Sequence, residues 1–153
     1  MRVNQWATLA VRVLFGGLFV FSGLNKLIGF MPMPPMAAPG AAFIGALVAT
    51  GYMLPLIGAL EAVFGALVMA GRFVPLALTV LAPLVVNIAF FHVLLAPGIP
   101  VVVFLLAAEG YLAWQYREAF AGLLQIAPAP AFARAATGDA RAERSAVTAL
   151  GRR

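Results

Sequence analysis

Six residues of this 153-residue chain carry functional groups in otherwise apolar surroundings: Arg12, Lys26, Glu61, Asn87, His92 and Glu109. From Val13 to Tyr116 the only charged residues are Lys26, Glu61, Arg72 and Glu109. An ionisable side chain facing hydrocarbon near mid-span costs about 2.5–3.5 kcal/mol. Left unpaired against lipid, Arg12, Glu61 and Glu109 would together cost roughly 8–10 kcal/mol. They must face one another, water, a ligand or a partner. A cation and a histidine at one site can attract a carbonyl or an anion and exchange one proton with it. Buried Arg–Glu groups can form a proton or headgroup site, or a plain structural ion pair.

Other chemistries are excluded or unsupported. The chain has no cysteine and one histidine. Disulfides, thiolate catalysis, iron–sulfur clusters and covalently attached haem are ruled out, and no metal-ligand spacing occurs. Gly-Leu-Asn-Lys near Lys26 is not a phosphate loop, because no strand precedes it. The net charge of +5 belongs to residues flanking apolar runs, so topology and anionic lipid explain it better than nucleic acid.

The elements that must position these groups are membrane helices. The chain is 64% apolar and 10% charged, against about half and a quarter in soluble domains. At roughly 20 residues per crossing, the apolar region predicts an all-α bundle of four transmembrane helices, about 6–29, 52–71, 73–96 and 101–116, in a membrane domain of residues 1–116. The first run begins with a basic residue like a signal peptide, but Arg12 interrupts it and no small-residue cleavage site follows, so it is expected to stay. Met31–Gly40 is too rich in proline to be helical. Ala41–Thr50 is too short to span and predicts a short interfacial or re-entrant helix between the first and second spans. Pro83 predicts a kink in the third span. Residues 117–153 form a juxtamembrane helix and a basic, largely mobile tail.

Helical spacing sets directions. Arg12, Gly16, Phe19, Gly23 and Lys26 share one stripe. Gly51, Gly58 and Gly65 recur every seven residues with Glu61 on their face, a pattern of close helix contact in membranes. At about 1.5 Å per residue, Arg12, Glu109 and Glu61 lie about 9, 12 and 15 Å from the basic side. This predicts a buried charge layer in which Arg12 contacts Glu61 or Glu109. Lys26 and His92 lie toward the opposite face, with Asn87 between, and form a candidate outer polar pocket roofed by Met31–Thr50. Asn87 and His92 stand about 140° apart, so in a regular helix both cannot face one cavity, an expectation that the kink at Pro83 loosens.

Four spans place both termini on the side holding Arg2, Arg72, Arg117, Arg134, Arg141, Arg144, Arg152 and Arg153. By the positive-inside rule that side is cytoplasmic.

The segments Arg12-Val-Leu-Phe-Gly-Gly-Leu-Phe-Val-Phe-Ser-Gly-Leu-Asn-Lys26 and Glu61-Ala-Val-Phe-Gly-Ala-Leu-Val-Met-Ala-Gly71, followed by Asn87 to His92, resemble the DoxX family. The resemblance covers about residues 6–116 and implies a four-helix protein of the bacterial cytoplasmic (inner) membrane. It further implies a subunit of a quinone-linked redox complex, anchoring or quinone-proximal and without its own redox centre. Such a chain is at most an accessory subunit of an oxidoreductase. No cofactor is assignable from the residues, and quinone is the candidate the resemblance suggests. The partners implied are membrane lipid and a soluble oxidoreductase or other membrane subunits, with a homo-oligomer also open. The alternative is a small-solute or proton carrier or channel, or a structural assembly factor of the membrane.

Overall fold

A computed structural model describes residues 2–32 and 35–121, with side chains from Asn4 onward. Residues 1–119 form one compact unit. It is built from α1 (Arg2–Ile28), α2 (Ala38–Ala49), α3 (Met53–Ala70), α4 (Val74–Leu94) and α5 (Ile99–Gln115), and a short α6 (Arg117–Phe120) follows. No strand occurs among the described residues. The tail expected beyond residue 121 lies outside them.

Three helices, Asn4–Ile28 within α1, Met53–Ala70 and Val74–Leu94, are long and apolar enough to cross a membrane. α5 is apolar too, but has 17 residues. α2, at 12 residues, is the short helix expected between the first two spans, but it begins three residues early, at Ala38, because Pro39 falls in its first turn where no N–H is needed. Helix starts follow local chemistry. Pro39, Pro75 and Pro100 each lie in the first two positions of α2, α4 and α5, where a missing N–H costs nothing. Gly71 ends α3 in the left-handed conformation, φ 70°. The Arg72 N–H then donates back to the Leu67 carbonyl at 3.0 Å, and this wrap permits the tight α3–α4 turn.

α1, α3, α4 and α5 pack in a ring, with α1 joining α3 on one side and α5 on the other. The closest seam is α1 on α3. A Cβ added to Gly16 would lie 2.5 Å from the Gly65 carbonyl oxygen, and one added to Gly23 would lie 2.5 Å from the Gly58 carbonyl oxygen. Only glycine lets these backbones meet. The seven-residue repeat holds for Gly58 and Gly65 alone. Gly51 precedes α3 at φ 76° with no neighbour in reach of a Cβ, so it forms a turn, not a contact.

The core inside the ring comprises Phe15, Phe19, Val68, Leu78, Leu81, Val85, Leu105 and Leu112, all buried. Outward, Leu14, Val63, Leu76 and Val103 are 54–62% exposed. Apolar residues thus cover both inside and outside, as for helices solvated by lipid.

Candidate functional site

The α1–α3 seam fixes the register of the charged groups. Gly58 faces Lys26, Gly23 faces Glu61 and Ala62, Gly65 faces Gly16 and Phe19, and Gly71 faces Arg12. Two antiparallel helices in this register bring Lys26 within one turn of Glu61. The Lys26 ammonium donates to Glu61 Oε2 at 2.6 Å and to Ser22 Oγ at 2.6 Å. The Glu61 side chain is 2% exposed and that of Lys26 25%. Ser22 is one turn before Lys26 on α1, so both hold the ammonium from one side. Lysine has three N–H donors, and the third has no protein acceptor among the described residues.

This ion pair forms one wall of a cavity of about 250 Å³. His92 and Asn87 line it from α4, and Phe43, Ile44 and Leu47 of α2 cover it. The three α2 residues at spacing one and four place one apolar edge over the opening. Among the described residues the cover is thus formed by aromatic and aliphatic side chains of α2. Asn87 and His92 do line one cavity. Leu84, Ile88 and Phe91 lie on the α4 face between them, and the two polar side chains flank that stripe from opposite sides.

His92 is seated by its surroundings. Its Nδ1 lies 3.0 Å from the Ala96 carbonyl oxygen. A carbonyl only accepts, so Nδ1 carries the proton and donates. In the neutral ring Nε2 is then an acceptor. Gly98 lies against the same edge of the ring, and a Cβ there would run into Nδ1, Cε1 and Cγ. The Phe91 ring meets His92 edge-on at 5.3 Å and Phe43 at 5.6 Å. The site thus offers a donor at Lys26, an acceptor at His92 and the amide of Asn87, within apolar walls.

A second cavity of about 130 Å³ adjoins the first, sharing Phe43, Asn87 and Phe91 and bounded by Phe90, Leu94 and Leu95. Phe90 and Leu94 are 61% and 70% exposed. The chamber is therefore neighboured, across Phe43, Asn87 and Phe91, by an apolar gap between α2 and α4.

The expected layer of Arg12, Glu61 and Glu109 does not form. Arg12 Nε donates to the Val68 carbonyl at 3.0 Å and Nη2 to that of Met69 at 2.9 Å. It closes the C-terminal end of α3, where unpaired carbonyls and the helix dipole favour a cation. The three do not share a depth because α1 starts at Arg2 and runs past the end of α3. Residues counted from each helix end are therefore not level. Glu61 pairs with Lys26, and Glu109 stands apart, its Oε1 buried with no hydrogen-bond partner among the described residues. Ser22 and Gly98 were missed as site residues. Ser22 was signalled by its four-residue spacing from Lys26, whereas nothing local ties Gly98 to His92.

The DoxX family model matches residues 7–93, more than half of the chain. That stretch runs from the sixth residue of α1 to the last but one of α4, and includes Ser22, Lys26, Glu61, Asn87 and His92. Comparison with curated proteins returned no match, and comparison with solved structures returned none either.

Proposed function

The chain belongs to the DoxX family, membrane proteins often linked to redox and quinone-related complexes, and on that premise we propose that it is a quinone-proximal membrane subunit of such a complex. It crosses the bacterial cytoplasmic membrane four times with both termini inside. α5, about 26 Å long at 1.5 Å per residue, serves as the fourth span, within the accepted range for short spans. Arg72 and Arg117 lie at the end of the bundle assigned to the cytoplasm.

One observation carries the ligand class: a chamber holding Lys26, Asn87 and His92 lies next to an apolar gap, with Phe43, Asn87 and Phe91 lining both. A molecule with a small oxygen-bearing ring and an apolar tail fits both parts. In the oxidised form a ring carbonyl accepts from Lys26, in the reduced form a ring hydroxyl donates to His92 Nε2, and the tail lies past Asn87 between Phe43 and Phe90. A water-soluble solute would gain nothing from such a gap, which favours this reading over a carrier. The chain's own residues bind and orient the ring and exchange a proton at His92. Electrons come from and go to partner subunits.

Photo-crosslinking in membranes with an azido-quinone tests the reading. Label is expected in peptides holding Ser22–Lys26, Phe43–Leu47 or Asn87–His92. Label confined to outward residues such as Val63 and Val103 rejects it.

A further inference from the structure

At the other end of the bundle lies a polar cavity that the quinone reading does not use. It measures about 310 Å³ and is lined by Asn4, Gln5, Thr8, Leu9 and Arg12 of α1, with Gln115 and Tyr116 at the end of α5. Six of those seven residues carry polar side chains, in a chain that is 64% apolar. The α1 members follow at spacings that keep them on one face, so the cavity is a built groove between two helices.

We propose that this groove binds a phosphate anion, as carried by the headgroup of an acidic membrane lipid. Arg12 is the anchor. Its Nε and Nη2 are fixed on the Val68 and Met69 carbonyls, which holds the guanidinium in place before any ligand arrives. Nη1 has no acceptor among the described residues, and no described carboxylate pairs with Arg12. The side-chain-free Gly71 makes room for the guanidinium, since a Cβ there would overlap it. Amides of Asn4, Gln5 and Gln115 and the Tyr116 hydroxyl supply further donors, a set suited to phosphate oxygens, while the Thr8 hydroxyl donates to the Asn4 carbonyl at 2.8 Å. Thr8 Oγ1 also meets Tyr111 Oη at 3.1 Å, which ties α1 to α5 below the groove.

The surroundings favour a lipid. Arg72 lies beside Gly71 at this end, and Arg117 is nearby, its Nη1 donating to the Trp114 carbonyl at 3.1 Å with the guanidinium over the Trp114 ring. Among the described residues only Glu118 opposes these cations. Leu9 and Val13 continue the groove on α1 as exposed apolar residues, a track for an acyl chain beneath a bound headgroup.

The test compares wild type with Gln5→Glu, a near-isosteric change in the first turn of α1. An acid there suits the helix dipole, so the variant folds, yet it sets a negative charge in the groove. Purified protein is titrated with phosphatidylglycerol, phosphatidylcholine or inorganic phosphate, read by native mass spectrometry and melting temperature. Wild type is expected to retain phosphatidylglycerol at least tenfold more tightly than phosphatidylcholine, and Gln5→Glu to lose that preference. If inorganic phosphate alone raises the melting temperature as the lipid does, the phosphate group suffices as ligand. If only the lipid does, the acyl track contributes. Equal retention of the two lipids by wild type, or an unchanged preference in Gln5→Glu, overturns the proposal.

Discussion

Lys26 on α1 and Glu61 on α3 meet at 2.6 Å beside the contact of Gly23 with Gly58. The glycines and the ion pair depend on one another. Close backbones shorten the reach between the two charges, and the paired charges need no water inside the seam. The same contact places the ammonium at the cavity wall, so packing and recognition share one set of residues.

Breaking this pair should be severe. Glu61→Ala leaves an ammonium without its counter-charge and is expected to cost about 3–5 kcal/mol. Lys26→Met combined with Glu61→Met should cost less than Glu61→Ala alone, because no buried charge is left unpaired. Melting curves in detergent check this. A double variant less stable than Glu61→Ala would show that the pair is not what holds the seam.

The glycine seam makes a second, sharper contrast. Gly23→Ala forces α1 and α3 apart and is expected to cost about 1–3 kcal/mol, as overpacking does. Gly45 in α2 has nothing within 4 Å of an added Cβ, so Gly45→Ala should be neutral or stabilise by about 0.4–1 kcal/mol. Equal losses in the two variants would contradict the packing described.

Arg12 should behave as a helix cap and not as half of an ion pair. Arg12→Ala removes two charge-assisted hydrogen bonds and is expected to cost about 1.5–3 kcal/mol. A double-mutant cycle of Arg12→Ala with Glu109→Gln should give a coupling energy near zero. A coupling above about 1 kcal/mol would mean that the two are energetically linked after all.

Gly98→Ala tests the seating of His92. Gly98 has φ −168°, outside the left-handed region that favours glycine. The alanine Cβ would push the imidazole off the Ala96 carbonyl. Affinity for a soluble quinone analogue should fall about tenfold, close to the value of one hydrogen bond. Fluorescence titration measures it. An unchanged affinity would remove His92 from the ligand site.

Much of this was legible from residue spacing. Helical periodicity placed Arg12, Gly16, Gly23 and Lys26 on one face, and Gly58, Glu61 and Gly65 on another, and those two faces meet. Spacing along one helix does not encode how far that helix slides against its neighbour. A shift of one or two turns moved Glu61 from Arg12 to Lys26, and the overshoot of α1 past α3 is invisible to hydropathy. His92 and Asn87 were legible as polar residues. Their shared cavity was not, because its width depends on where α2 lies. The Gly98 contact is formed by a loop after α4, and no periodic signal extends into a loop.

Backbone touching backbone along α1 and α3 has a mechanical consequence. Where glycine sets backbone against backbone there are no rotamers to exchange, so those contacts separate only as a whole. The opposite wall is built from Phe43, Phe90, Phe91 and Leu94, whose side chains can turn individually. Breathing of the molecule is thus one-sided. The α1–α3 half acts as a rigid frame, and a ligand of the proposed kind would enter by ring rotation on the α2–α4 side, with the bundle intact.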